Sequence, residues 1–193
     1  MMVKVCGITR REDALAAAEA GASAIGFIFY KPSPRYVTPE KARELGEGIE
    51  IWKAGVFVDE DPKLVESIMS DAKLDVAQVY GRFVASTRIT RFWQAVRVKA
   101  DAGAIGVAAA GSEALFLDSS ANGVSFDWTL ARRLGERRKV VIAGGLDASN
   151  VAKAIRVAQP WGVDASSGLE SAPGIKDHLK VRQFVKAARE ATS

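Results

Sequence analysis

The chain has 193 residues, 48% hydrophobic and 26% charged, which suits one soluble globular domain over residues 1–193 and excludes disordered and collagenous classes. Its apolar runs are strand-length, well short of the roughly 18 to 20 residues that span a bilayer, so no membrane segment is expected. The formal charge of +4 is spread, with Lys and Arg alternating with Glu and Asp, which argues against nucleic acid and is compatible with a small anionic substrate.

In chain order, short β-branched or aromatic runs alternate with amphipathic Ala-, Lys- and Glu-rich stretches. A strand at 3–6 leads into a helix at 11–20, where Thr9 with Glu12 three residues on has the spacing of a capping box. The next pairs are a strand at 24–29 with a helix at 39–46, and a strand at 52–58 with a helix at 62–70. Thr38-Pro39 and Asp61-Pro62 each place a capping oxygen before a proline at the first helical position. Strands at 76–80 and 92–98 follow, each with a connection that holds at most a reduced helix. Then come a strand at 114–118 with a helix at 128–134, one at 139–143 with a helix at 149–157, and one at 162–166 with a helix at 176–188. Eight β-then-α units point to an α/β class fold, a single short (β/α)8 TIM barrel with reduced helices after strands 4 and 5; an open doubly wound sheet is the alternative.

One cysteine, Cys6, forbids an internal disulfide, and with one histidine, His178, no Cys/His zinc cluster is possible. The first residues reach a polar helix start too quickly for a secretory signal, so the protein reads as cytoplasmic.

A barrel of this kind places its active site at the C-terminal ends of the strands. Alternation puts Lys4 and Cys6 on one face of the first strand and Val3 and Val5 on the other. Lys4 and Cys6 then both point into the barrel, where an ammonium beside the thiol favours thiolate and makes Cys6 a candidate base or nucleophile; the bland reading is a cysteine filling a strand end. In the loop after strand two, Tyr30-Lys31-Pro32-Ser33-Pro34-Arg35, the prolines stiffen the chain and Arg35 offers a planar fork for a carboxylate, although such an arginine is commonly just solvated. Asp118 closes the sixth strand, either at the barrel mouth as an acid or as a cap for the following loop. Gly144-Gly145 after strand seven and Ser166-Ser167-Gly168 after strand eight occupy the recurrent phosphate position of the fold, unless they are ordinary helix-entry turns. His178 reads as a surface or capping residue, Trp52 and Trp93 as core or near-core, and Asp127 as a helix entry.

Together, Lys4-Val5-Cys6-Gly7-Ile8-Thr9, Pro32-Ser33-Pro34-Arg35, Phe126-Asp127-Trp128, Ala143-Gly144-Gly145-Leu146 and Val163-Asp164-Ala165-Ser166-Ser167-Gly168-Leu169-Glu170 resemble phosphoribosylanthranilate isomerases of tryptophan biosynthesis. The resemblance runs nearly end to end. It implies an Amadori rearrangement of a phosphorylated aminoaldose without metal or cofactor; whether the chain works as a monomer or homodimer the sequence leaves open. Asp118 is implied as general acid and Cys6 as general base. Lys4 is implied to help Cys6 ionise, Arg35 to meet the anthranilate carboxylate, and Gly144, Gly145, Ser166, Ser167 and Gly168 to hold the phosphate. Two segments depart from the family pattern. Gln78-Val79-Tyr80-Gly81 carries a tyrosine where a histidine is usual, and Ser119-Ser120-Ala121-Asn122-Gly123-Val124 lacks the usual glycine-rich run.

Overall fold

In the computed structural model, which describes residues 1–84, 88–98, 111–119 and 127–191, eight parallel strands close into a barrel in chain order. They are β1 (Met2–Cys6), β2 (Ala24–Ile28), β3 (Trp52–Val58), β4 (Val76–Tyr80), β5 (Phe92–Val98), β6 (Ala114–Ser119), β7 (Val140–Ala143) and β8 (Gly162–Ala165). Helices α1 (Arg11–Glu19), α2 (Pro39–Gly46), α3 (Pro62–Asp71), α4 (Thr129–Gly135), α5 (Val151–Ala158) and α6 (His178–Glu190) form the outer layer. The closed topology bears out the barrel and sets aside the open sheet. Among the described residues no helix is long and apolar enough to cross a membrane.

Both faces of a parallel sheet must be covered, and each strand divides its side chains between them. Val3, Val5, Ile25, Phe27, Leu115 and Leu117 pack outward against the helices. Inward, Met2, Ala54, Val76, Trp93, Ala95, Ala114, Phe116 and Val141 fill the lumen. The lumen carries an aromatic column: Trp52 stacks on Trp93 at 5.8 Å between centroids, and Trp93 on Phe116 at 5.1 Å. The Arg91 guanidinium lies 4.0 Å from the Trp52 centroid at one end, and the Lys4 ammonium 5.6 Å from that of Phe116 at the other. This packed floor confines any ligand to the opposite, C-terminal mouth.

The caps come out as read at two helices and differently at a third. Thr38 accepts from the Lys41 amide and Asp61 from the Lys63 amide. Thr9 does not cap α1: Arg10 holds that position without a side-chain cap, and the Thr9 hydroxyl donates to the Gly174 carbonyl instead. A tertiary acceptor outcompetes the local one. The helix expected from 176 starts at His178, because a hairpin of β9 (Glu170–Ala172) and β10 (Ile175–Lys176) precedes it, and Asp177 caps it.

As expected, no helix is found among the described residues between β4 and β5; Phe83, Ile89 and Phe92 cover that flank, and the Gln94 amide donates to the carbonyls of Val79 and Gly81. The reduced helix expected after strand 5 and the shortened loop at 120–124 lie outside the described residues.

Candidate active site

Cys6, at the end of β1, and Asp118, near the end of β6, face the same cleft of about 470 Å³ at the strand C-termini. Gly144 and Gly145 from the β7 loop and Ser166 and Ser167 from the β8 loop line its rim, as does Arg35 from the loop after β2. Seven of the nine residues singled out from sequence, Asp118 among them, therefore meet at one mouth. Lys4 and Gly168 do not line it.

Lys4 lies beneath the cleft, fully buried, with its ammonium 3.1 and 3.0 Å from the two carboxylate oxygens of Asp164 on the neighbouring strand β8. Burial alone would discharge Lys4, but the negative charge of Asp164 leads the effects that outweigh it and hold the ammonium above its ordinary pKa. Gly26 on β2 makes room for this group. A Cβ there would sit 2.8 Å from the Cys6 sulfur and 3.0 Å from the Lys4 nitrogen.

The expectation that Lys4 lowers the thiol pKa holds only in part. Complete burial pushes Cys6 up; Lys4 pulls it down, Asp164 pushes it up again, and the balance stays above the ordinary thiol value. The physical reason is that Lys4 is shared: its charge is largely spent on a bidentate contact with Asp164. Asp118 is also raised, first by burial, against the opposing pull of the Tyr80 hydrogen bond and the charges of Arg97 and Lys4. A carboxyl that keeps its proton more readily than usual is suited to donating it.

Arg35 is held by a fork. Its Nε and Nη2 donate to the two oxygens of Glu170 at 2.7 and 2.6 Å, and Lys176, buried, donates to the same carboxylate at 2.9 Å. Lys176 also donates to the Ser166 carbonyl at 3.1 Å. The hairpin thus ties the β2 loop to the β8 loop across the end of β1. Gly7 permits the crossing, because a Cβ there would meet Arg35 Cδ at 2.6 Å and Ser166 Oγ at 2.9 Å.

The β7 loop needs glycine for two reasons at Gly144: its φ of +84° is left-handed, and a Cβ would lie 2.5 Å from the Ser119 nitrogen and 2.6 Å from Asp118 Oδ1. Asn150 braces the loop, donating to the Gly145 carbonyl at 2.8 Å and accepting from the Asp147 amide at 3.0 Å. Gly168 serves packing: a Cβ there would be 2.4 Å from the Leu146 carbonyl oxygen, so it lets the β8 loop lie against the β7 loop.

Sequence reading assigned no role to Asp164, Tyr80, Arg97, Gly26, Glu170 or Lys176. Two signals were available. Asp164 and Arg97 have lumen parity in their strands, and Arg97 pairs in register with Asp118. Tyr80, at the end of β4, donates to Asp118 Oδ2 at 2.8 Å. The residues given bland readings fit them: Trp93 is fully buried, Asp127 accepts from the Thr129 amide and hydroxyl at the start of α4, and His178 opens α6 with a 2.8 Å contact to Asp13.

Fold and mouth together define a (β/α)8 barrel of the enzyme type, with a thiol and a carboxyl facing one cleft beside glycine and serine loops. The chain belongs to the family described as N-(5'phosphoribosyl)anthranilate (PRA) isomerase, whose model matches residues 3–187. It is 46% identical over 203 aligned positions to the N-(5'-phosphoribosyl)anthranilate isomerase of Solibacter usitatus, covering 99% of this chain and 98% of the relative. Among solved structures it is similar to a phosphoribosyl anthranilate isomerase in complex with reduced 1-(o-carboxyphenylamino)-1-deoxyribulose 5-phosphate, with a TM-score of 0.83, 34% identity and coverage of 98% and 99%. It is equally similar to monomers generated from the dimeric enzyme of Thermotoga maritima, with a TM-score of 0.85, 34% identity and coverage of 98% and 99%.

Proposed function

We propose that the chain, working as one domain over 1–193, catalyses the Amadori rearrangement of N-(5-phosphoribosyl)anthranilate to 1-(2-carboxyphenylamino)-1-deoxyribulose 5-phosphate, the isomerase step of tryptophan biosynthesis. The observation that carries the assignment of roles is that Cys6 on β1 and Asp118 on β6, three strands apart around the barrel, face one cleft lined by both the glycine and the serine loops. Asp118 donates its proton to the furanose ring oxygen, the C1′–O bond breaks, and a protonated imine forms. Cys6 as thiolate takes the C2′ proton, leaving an enolamine. That species moves a proton from its C2′ oxygen to C1′ and becomes the ketone. One proton leaves the protein and one returns, so the sum is an isomerisation. The cation created in the first step favours thiolate in the second, inside a site where burial otherwise favours thiol.

The phosphate is taken by the backbone amides and hydroxyls of Gly144, Gly145, Ser166 and Ser167, with Gly168 letting the two loops meet. Lys4 serves from below, holding Asp164 and favouring charge on Cys6. Arg35 meets the anthranilate carboxylate with the Nη1 edge that Glu170 leaves unused. A phosphorylated intermediate of this kind fits the cytoplasm, and a monomer or a homodimer like the Thermotoga relative is the expected assembly.

Mixing the purified protein with phosphoribosylanthranilate and following the loss of substrate fluorescence tests the reaction; no turnover overturns it. The pH dependence tests the pair. The working form needs a proton on Asp118 and none on Cys6, the same total as the resting carboxylate with thiol, so turnover is bell-shaped. The acidic limb lies above the ordinary carboxylate value and the alkaline limb above the ordinary thiol value, because both groups are raised. A limb at the unperturbed carboxylate value overturns the burial of the acid.

A further inference from the structure

We infer that Tyr80 is a positioning residue for the acid step: its phenol fixes which oxygen of Asp118 carries the transferable proton. This rests on the role of Asp118 assigned above. The Tyr80 hydroxyl donates to Asp118 Oδ2 at 2.8 Å, so Oδ2 is engaged as an acceptor and the carboxyl proton belongs on Oδ1. Oδ1 is the oxygen on the β7 side, 2.6 Å from where a Cβ of Gly144 would stand, and Gly144 lines the cleft. The acidic hydrogen is thereby turned toward the loop proposed to take the substrate's phosphate. Once it has left, the charge on the carboxylate already has a hydrogen bond waiting at Oδ2, with no reorientation needed.

A phenol suits this task. Burial, and then the neighbouring Asp118, raise Tyr80 well above its ordinary pKa, so it remains a donor wherever the protein works. An imidazole at the same place would change charge near neutral pH. The Arg97 guanidinium, 5.5 Å from the Tyr80 ring centroid, lies over its face.

The charged and titratable groups acting on Asp118 come from each element around it. They are Tyr80 on β4, Arg97 on β5, Lys4 on β1 and Asp164 on β8, while β7 presents the neutral Gly144. Cys6 on β1 acts on Tyr80. Arg97, Lys4 and Asp164 stay in place in a Tyr80→Phe variant, which removes the phenol hydrogen bond and little else.

The test is Tyr80→Phe in the full chain, with aspartates labelled at the carboxyl carbon and the Asp118 signal identified by its loss in Asp118→Asn. Losing a hydrogen bond to a charged group raises the Asp118 midpoint by about one pH unit, and the acidic limb of turnover rises with it. Turnover at the plateau falls about tenfold while KM stays within about twofold, because the proton is no longer aimed but the binding loops are untouched. Replacing Tyr80 with 3-fluorotyrosine, a stronger donor of nearly the same shape, moves the midpoint down and keeps the measurement available if the phenylalanine variant folds poorly. A midpoint that stays at the wild-type value in either protein, or unchanged turnover in Tyr80→Phe, overturns the inference. An active Asp118→Asn variant instead overturns the acid assignment, and the labelled midpoint separates the two because it is read without substrate.

Discussion

The two flanks of the mouth are held by different forces. On the side of β8, β1 and β2, Cys6 sits among formal charges: Lys4 with Asp164 below it, and Glu170 bound to both Arg35 and Lys176 beside it. On the side of β4, β5 and β6, Asp118 is held by the hydrogen bond from Tyr80, with Arg97 above the ring. Buried ion pairs are rigid and unforgiving, because losing one partner strands the other charge. A neutral donor bonded to an acid can be changed at smaller cost, and the change is felt in proton affinity more than in folding. The Cys6 flank is thus built for permanence and the Asp118 flank for tuning.

Four variants probe that contrast. The largest effect belongs to the reacting groups: Cys6→Ala and Asp118→Asn each lose about 10²- to 10⁴-fold in turnover, read from initial rates, and a nearly active Cys6→Ala variant removes the thiol from the mechanism. Next is Lys4→Met, which leaves the Asp164 carboxylate buried without its cation and costs about 3–5 kcal/mol in denaturant unfolding. If Lys4→Met is no less stable than Tyr80→Phe, the two flanks are not different in kind. Smallest is Gly26→Ala: the new methyl meets the ends of the Cys6 and Lys4 side chains, which can yield, so the barrel folds. The displaced thiol lowers turnover by up to about 10²-fold. Unchanged rates there mean that the thiol position has slack.

How much of this was legible beforehand follows the range of the physics. Strand and helix positions came from period and capping, which are local, and the observed bounds of β3, β4, β5 and α2 match those read from the chain. Parity along β1 placed Lys4 and Cys6 inward for the same reason. Thr9 misled because its acceptor, Gly174, is 165 residues away in sequence. The partner of Lys4 was hidden likewise: Asp164 stood in a quoted motif, but that β8 closes beside β1 is a property of the barrel, not of either segment. The net pKa of Cys6 required knowing that Lys4 was already engaged. Roles for the acid and base came from resemblance, which spacing alone left open.

Cys6 has a practical consequence as the chain's one cysteine. It lies in the cleft and is only 7% exposed, so a small alkylating reagent that reaches it must enter by the mouth. Moles of label incorporated per mole of chain then count functional clefts in a preparation, with no background from other thiols. Because the resting sulfur holds its proton, the labelling rate climbs as the solution is made more alkaline, and a ligand occupying the mouth slows it. The same atom that we propose as the base is therefore a stoichiometric titrant for the protein that carries it.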